Sequence, residues 1–295
     1  MKILVLGSTG YVGSNLIPRL LREGYQVRCL VREPNKLKSD QVEVVVGDAT
    51  DKTIVAKAVK GCDKIVYLIH SMNASLTQFE NIDRRIAENV ADEAKNDGIA
   101  QIIYLGGLGK KDINQTPHLR SRHEVGTILK SGGVPIVELR AAVIIGTGSA
   151  SFEMIRALVT RLPVMICPKW VRVKTQPIAI DDVLNYIMRI LGKPADSGYA
   201  LDIGGADILS YRDMMVTVAR HLGLRRLIIP VPVLTPWLSS HWVNWVTSVS
   251  APLARALIES VKSETVCEND QALKMFDFKP IGFDEAVNRA LNVKL

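Results

Sequence analysis

Short β-rich runs alternate with stretches of helical spacing through the first half of the chain. The runs predict strands over Lys2–Leu6, Gln26–Val31, Val42–Val46, Lys64–Ile69, Ile102–Leu105 and Val134–Arg140. The helical spacing predicts helices over Val12–Glu23, Lys52–Val59, Asp83–Asn96 and His123–Lys130. This alternation is typical of βαβ units, so we expect an α/β fold built on a doubly wound parallel sheet of the Rossmann type.

The alternation of predicted strands and helices becomes less regular after about Gly146. Helices are predicted over Ser151–Leu162 and Asp181–Leu191, with a short apolar run, Pro163–Pro168, after the first of them. We therefore expect a nucleotide-binding domain over residues 1–150 that takes a strand and a helix from residues 175–205. Residues 151–295 are expected to form a smaller, mixed α and β region that shapes a substrate site.

A glycine-rich segment directly follows the first predicted strand and opens the first helix. It contains Gly7, Ser8, Thr9, Gly10, Tyr11, Val12 and Gly13, in a GxxGxxG pattern. Such a loop lets the backbone turn sharply and approach a pyrophosphate, while the helix N-terminus faces the anion. The alternative is a glycine-rich turn without a ligand, and the strand–loop–helix context favours dinucleotide binding.

The end of the second strand bears on the choice of dinucleotide. Folds that select NAD offer a carboxylate about twenty residues beyond the last glycine, to bind the ribose 2′-hydroxyl. Arg32 occupies this place, and Lys36 supplies a second cation nearby. A guanidinium suits a 2′-phosphate, which favours NADP over NAD. The alternatives are that Glu33 points inward instead, or that Arg32 is a solvated loop cation.

Gly47 and Asp48 follow the third strand. An acid at this point can accept a hydrogen bond from the adenine amino group, while the next backbone amide, that of Ala49, touches the ring. The alternative is that Asp48 caps the helix predicted to begin near Lys52, a task that Asp51 could perform equally well.

Together, these features resemble the atypical, extended-like short-chain dehydrogenase/reductase superfamily. Tyr104–Gly107, Glu138–Arg140 and Gln176–Val183 carry the resemblance further along the chain. The sequence is similar in particular to the NmrA-like, NAD(P)H-binding branch, which includes an accessory nucleotide-binding subunit of respiratory complex I. The resemblance implies a bound dinucleotide, with Ile69, His70, Gly106 and Gly107 lining its nicotinamide end. For His70, a solvated loop histidine is the alternative.

The usual catalytic side chains of this superfamily are absent. Active members use a Tyr-x-x-x-Lys pair and a Ser or Thr after the preceding strand. Counting back from Gly132 and Gly133, the corresponding places hold His118, Arg122 and a position near Gly107. His118 is a candidate proton donor and Arg122 a candidate ligand of the ribose hydroxyls. The alternative is a basic helix start beside the cofactor phosphates.

Composition and charge exclude several other classes of protein. The net charge of +7 arises from 37 Lys and Arg against 30 Asp and Glu, but these basic residues are scattered, so we expect no nucleic-acid partner. The four cysteines are far apart, which argues against a metal site and against a disulfide framework. Only four apolar residues precede Gly7, so we expect no secretory signal and a cytoplasmic location.

An uncharged segment, Leu227–Ala254, contains Trp237, Trp242 and Trp245. Its prolines and polar residues make it unsuitable as a membrane-spanning helix. A pocket lid, an oligomer contact and a peripheral membrane contact are the functional alternatives, and ordinary core is the structural one.

The functional prediction is an NADP(H)-binding oxidoreductase that acts on a small apolar substrate. Absence of the Tyr-Lys pair leaves two alternatives open, a non-catalytic protein that senses NADP, or an assembly or lipid-surface factor.

Overall fold

A computed structural model describes residues 1–37, 39–70, 76–109, 116–195, 198–231 and 263–292. Its strands are β1 (Lys2–Leu6), β2 (Gln26–Val31), β3 (Glu43–Val46), β4 (Lys64–Tyr67), β5 (Gln101–Gly107), β6 (Ile136–Ala141), β7 (Ile144–Ile145), β8 (Val164–Pro168), β9 (Lys174–Thr175), β10 (Ile178–Ala179), β11 (Tyr199–Ile203), β12 (Leu209–Ser210) and β13 (Leu227–Val231). Its helices are α1 (Tyr11–Arg22), α2 (Lys52–Val59), α3 (Leu76–Asn96), α4 (Pro117–Ser131), α5 (Ala150–Arg161), α6 (Ile180–Leu191), α7 (Tyr211–His221), α8 (Gln271–Phe276) and α9 (Phe283–Asn292).

Seven strands form the main sheet, in the order β11-β6-β5-β4-β1-β2-β3. β1 pairs in parallel with both β2 and β4, while β3 and β5 extend the parallel arrangement on either side. The strand order reverses between β1 and β4, and a ligand of an open α/β sheet binds at this switch point, beyond the carboxyl ends of the strands. The predicted doubly wound Rossmann sheet is confirmed.

The chain divides into two compact units. The first comprises Met1–Gly107, Arg120–Arg140 and Leu184–Leu201, and the second comprises Leu108–Leu119, Ala141–Val183 and the chain from Asp202 onward. The core of the first unit lies between the sheet and α2, α3 and α4, with Tyr67, Ile102 and Val90 fully buried. The second unit has its own core, in which α5, α7 and α9 contribute Phe152, Met214 and Val287.

Two predicted helices begin more than one residue earlier than the sequence pattern indicated. α4 begins at Pro117 and not at His123, because proline suits the first helical position and the Thr116 hydroxyl accepts a hydrogen bond from the Leu119 amide at 3.3 Å. α3 begins at Leu76 and not at Asp83. Asp83 is therefore no helix start. It lies inside α3, where its carboxylate is buried and bonded to two side chains from elsewhere in the first unit.

Two buried cations of the first unit bind backbone carbonyls at the ends of helices. Arg28 donates to the carbonyls of Ala58 and Lys60, at the end of α2, and it also pairs with Glu43 at 2.7 Å. Lys64 donates to the carbonyl of Leu191, at the end of α6, at 3.1 Å. Burial lowers the pKa of Lys64. Part of the basic excess therefore has a structural use, since cations at helix C-termini are favourable.

Within the described residues, no helix combines the length and the apolarity needed to cross a membrane. Trp237, Trp242 and Trp245 lie outside the described residues, so their predicted contacts stay predictions.

Candidate functional site: the dinucleotide loop and its surroundings

The loop after β1 has the geometry of a pyrophosphate cradle. Gly7 has a φ of 84°, and a Cβ there would lie 2.8 Å from the carbonyl carbon of Leu68. A Cβ on Gly13 would lie 2.4 Å from the carbonyl oxygen of Gly7. Both positions therefore require glycine, one for the backbone conformation and both for close packing. The loop fits the dinucleotide that the sequence predicts.

α1 begins directly after this loop and presents an uncapped N-terminus. Gly10 precedes the helix without a side-chain cap, and its amide donates to the carbonyl of Gly7 at 3.0 Å. The first turn contains no acidic residue. Its amides and the positive end of the helix dipole are thus suited to an anion.

The other loop residues differ in what their side chains could contribute. Thr9 is exposed, and Tyr11 and Val12 are half-buried. Ser8 is buried beside Cys29, so its side chain is directed into the protein and only its backbone suits a ligand. Burial raises the pKa of the Cys29 thiol to about 11, which keeps this cysteine protonated at neutral pH.

Arg32 directly follows β2 and is exposed. Among the described residues, its guanidinium makes no ion pair within 4.0 Å. The next two charged residues pair with one another, since the Lys36 ammonium lies 2.7 Å from the Glu33 carboxylate. Both are largely exposed, and such surface pairs contribute little to stability. Arg32 is therefore the cation more available to a 2′-phosphate, whereas Lys36 would first have to release Glu33.

Asp48 follows β3 and is held in a tight turn. Its Oδ1 accepts hydrogen bonds from the Thr50 amide at 2.8 Å and from the Thr50 hydroxyl at 2.7 Å. Partial burial raises the pKa of Asp48, but the bonds from Thr50 and the charges of Arg32 and Arg85 outweigh this, and the pKa is lowered. The carboxylate is thus a ready hydrogen-bond acceptor.

Asp51, and not Asp48, caps α2, because its side chain accepts from the Thr53 amide at 2.9 Å. The capping alternative for Asp48 is therefore wrong. Ala49 is buried, and its carbonyl accepts a hydrogen bond from the Asn89 side chain at 3.0 Å. This bond joins α3 to the turn that follows β3.

His70 belongs to a buried polar cluster after β4. Its Nδ1 lies 3.0 Å from Oδ2 of Asp83, and the Ser121 hydroxyl donates to the same oxygen at 3.0 Å. The solvated-loop alternative for His70 is wrong, since only 13% of its side chain is exposed. Burial lowers the pKa of His70, and the nearby charge of Arg122 lowers it further, while the bond to Asp83 acts in the opposite direction. Ile69, just before it, packs against the core.

Sequence reasoning missed Asp83 and Ser121. Asp83 lies 13 positions from His70 along the chain and Ser121 lies 38 positions from Asp83, so no local pattern connects the three residues. A polar residue at a core position of a helix, as Asp83 is in α3, was the one available signal.

Arg122 is anchored over Tyr104, on β5. Its guanidinium donates to the Leu105 carbonyl and lies 5.3 Å from the Tyr104 ring centre, a cation–π arrangement. The Tyr104 hydroxyl donates to the Arg122 carbonyl at 2.8 Å. Burial raises the pKa of Tyr104 to about 12. These contacts fix the backbone and the side chain of Arg122 at the end of β5.

The glycines that end β5 leave room for a buried carboxylate. A Cβ on Gly106 would lie 3.2 Å from Oε1 of Glu138, and Glu138 pairs with Lys130 at 2.6 Å. Gly107 is the last residue of β5 and is half-buried. Gly106 therefore has a packing role in addition to its predicted place beside the nicotinamide.

His118 and Arg122 both lie in the N-terminal part of α4. His118 belongs to the second compact unit and is half-buried, whereas Arg122 belongs to the first. Within the described residues, no three His, Cys, Asp or Glu side chains form a group that could hold a metal ion.

Comparison with known proteins finds a family match in the first half of the chain. Residues 7–140 match the family described as NAD(P)H-binding. These residues are thus similar to NAD(P)H-binding domains, and the match covers less than half of the chain. This match supports the resemblance to the atypical short-chain dehydrogenase/reductase superfamily, and nothing in the comparisons bears on the complex I relative.

Curated relatives of this chain include photosystem II assembly factors called Ycf39. The factor from Trieres chinensis is 21% identical over 97% of this chain and 89% of its own length. The one from Cyanophora paradoxa is 30% identical, and the match covers 45% of this chain and 43% of that protein. This chain thus matches less than half of the Cyanophora protein.

Solved structures share the fold at low identity. A nucleoside-diphosphate-sugar epimerase from Staphylococcus aureus has a TM-score of 0.76 at 18% identity and covers 97% of this chain and 99% of its own. The enzyme WbmG from Bordetella bronchiseptica, solved in complex with NAD, has a TM-score of 0.77 at 16% identity and covers 99% of this chain and 93% of its own.

The buried state of His70 predicts a pH dependence of stability. An unfolded histidine has a pKa of about 6.5, whereas burial lowers the pKa in the folded protein, so the unfolded state binds more protons as the pH falls through this range. We expect the free energy of unfolding to decrease from about pH 7.5 to about pH 5.5, and to decrease less in His70→Asn, as measured by urea unfolding. Equal decreases in both proteins would show that His70 is not the responsible group.

Proposed function

We propose that the protein is an NADP(H)-dependent oxidoreductase that reduces a carbonyl-type group on a small apolar substrate. The observation that carries the proposal is the glycine loop at the switch point of the sheet, together with the exposed Arg32 directly after β2. The loop suits a pyrophosphate and the arginine suits a 2′-phosphate. With the dinucleotide in this position, the Asp48 carboxylate accepts a hydrogen bond from the adenine amino group.

The proposal divides the chemistry between the cofactor and the chain. The bound dinucleotide supplies the hydride. The chain positions the substrate, excludes water and donates a proton to the carbonyl oxygen, a role that we assign to His118. The anchored Arg122 holds the ribose hydroxyls, and the backbone of Gly106 and Gly107 borders the ring. His70 contacts the nicotinamide end, and Asp83 and Ser121 position it.

Arg32→Glu should reverse the choice of cofactor. The substitution removes a charge-assisted phosphate contact and places a carboxylate where a 2′-hydroxyl can be bound, so NADPH affinity should decrease by about 1.5–3 kcal/mol and NADH affinity should change little. Calorimetric titration of both dinucleotides measures this. Arg212→Glu, at an exposed arginine of α7, is the matched control and should leave both affinities unchanged. Equal affinity of the unmodified protein for NADPH and NADH would overturn the assignment to NADP.

The reaction is tested by offering NADPH with a panel of quinones, enones and aldehydes. We expect at least one acceptor to be reduced, with loss of NADPH absorbance in proportion to product. Tight binding of NADPH without turnover of any acceptor would count against the oxidoreductase and favour the second candidate.

That second candidate is a non-catalytic role, in which the dinucleotide regulates binding to a partner during assembly. Two observations favour it. The Tyr-Lys pair is replaced by His118 and Arg122, and Ycf39 from Trieres chinensis, which matches nearly the whole chain, is an assembly factor. A partner whose binding changes when NADPH replaces NADP⁺ would support it.

A further inference from the structure

A two-stranded ribbon in the second unit has one buried face and one exposed face. β8 and β13 pair in parallel, with Val164 opposite Leu227 and Ile166 opposite Ile229. The alternate residues Met165, Cys167 and Ile228 are buried in the core of the second unit. The ribbon is therefore fixed to the unit by one face, and its register determines what the other face displays.

The exposed face is entirely aliphatic at these four positions. Val164 is 49% exposed, Ile166 53%, Leu227 57% and Ile229 40%. Exposed aliphatic residues are common singly, but four neighbouring ones on adjacent strands form a continuous apolar surface. These four residues are called the aliphatic face below.

Arginines border the end of the ribbon at which both strands begin. Arg161 and Arg225 are exposed, and the Leu227 amide donates to the carbonyl of Pro163, which keeps the two strand starts together. Arg226 donates to the carbonyls of Val159 and Thr160 at the end of α5. The cations therefore lie immediately beside the first residues of the aliphatic face.

The two chain stretches that build this region contain no acidic residue. None occurs between Glu153 and Asp181, and none occurs between Asp213 and Glu259. An apolar surface bordered by exposed arginines matches the boundary of an anionic membrane, where apolar side chains enter the acyl region and arginines meet lipid phosphates. A second copy of the chain would place its own exposed Arg225 against this one, which makes it a poorer occupant.

We propose that the aliphatic face and its bordering arginines bind the surface of a membrane that contains anionic lipids. The sequence beyond β13 continues without a charged residue to Ala254 and contains three tryptophans, residues that favour the membrane interface. The binding is peripheral and independent of the dinucleotide reaction, so it extends the proposed function without relying on it.

Sedimentation of the full chain with vesicles tests the proposal. The protein should bind vesicles of phosphatidylcholine and phosphatidylglycerol more tightly than vesicles of phosphatidylcholine alone, and higher salt should weaken the binding because it screens the arginines. Ile166→Glu should weaken binding by about tenfold or more, since it places a charge in the inserted face. Ile208→Glu is the matched control, at an isoleucine that is 50% exposed outside the ribbon, and should bind normally.

A second variant separates the charge from the apolar contact. Arg225→Glu should reduce the preference for anionic vesicles by about fivefold or more, because each basic residue near an anionic membrane surface contributes about 1 kcal/mol to binding. Circular dichroism and NADPH titration of every variant establish that the fold is retained. The proposal is overturned if the unmodified protein does not sediment with anionic vesicles, or if Ile166→Glu binds them as the unmodified protein does. The proposal is also overturned if the unmodified protein is a dimer that Ile166→Glu dissociates, because a second copy of the chain would then cover the aliphatic face.

Discussion

Gly10→Val is expected to abolish NADPH binding while leaving the free energy of unfolding nearly unchanged. Gly10 is exposed, and a Cβ there would meet only the Gly7 carbonyl oxygen, at 3.2 Å. The remaining bulk of a valine would extend into the space beside the α1 N-terminus, which we assign to the pyrophosphate. Calorimetric titration should therefore detect no NADPH binding at concentrations that saturate the unmodified protein.

Gly13→Val should lose both binding and stability. A Cβ on Gly13 would lie 2.4 Å from the Gly7 carbonyl oxygen and 2.7 Å from the Ser8 Cα, so α1 would have to move away from β1. Gly192→Ala is the control, because the nearest atom to its added Cβ would be 3.7 Å away. Retained tight NADPH binding by Gly10→Val would refute the placement of the pyrophosphate.

His118→Ala is expected to lower NADPH-dependent turnover by about 10²-fold, the low end for loss of a general acid. A histidine side chain can donate a proton near neutral pH, whereas alanine cannot. NADPH affinity should barely change, because the role assigned to His118 is toward the substrate. The measurement is turnover of the best acceptor at saturating NADPH.

The control for His118 is His221→Ala, which removes a histidine of α7 that pairs with Asp284 at 3.1 Å. Its turnover should equal that of the unmodified protein. Undiminished turnover in His118→Ala would instead assign the proton to water or to another side chain. Tyr104 is a poor substitute, because it is fully buried, its pKa is raised to about 12, and its hydroxyl donates to the Arg122 carbonyl.

The sequence was most informative where the chemistry is local. The glycine spacing, the strand before it and the helix after it lie within adjacent residues, and these features predicted the loop around Gly7 and Gly13 correctly. Gly24 and Gly98 come just after the helices predicted over Val12–Glu23 and Asp83–Asn96, and both adopt the left-handed conformation, with φ values of 78° and 69°. Such positions can be predicted because one residue type satisfies a backbone requirement almost alone.

Contacts between distant segments could not be predicted in this way. Aspartate is common at helix starts, which agrees with a helix predicted to begin at Asp83. Asp83 is instead buried inside α3, where His70 and Ser121 bond to it from other elements. The pairing of β8 with β13 joins segments about sixty residues apart, and it exposes Ile166 and Ile229, which hydropathy alone would place in a core. Burial of a polar group and exposure of an apolar one both depend on tertiary neighbours.

Direct transfer of deuterium from the cofactor is the measurement that tests the oxidoreductase proposal most directly. NADPH deuterated at the transferable position of the nicotinamide is incubated with the purified protein and the acceptor panel, and the products are examined by mass spectrometry. We predict that a reduced product carries the deuterium and that Arg32→Glu shifts the preferred donor from NADPH to NADH. Saturable NADPH binding with no deuterium in any product would contradict the proposed reaction.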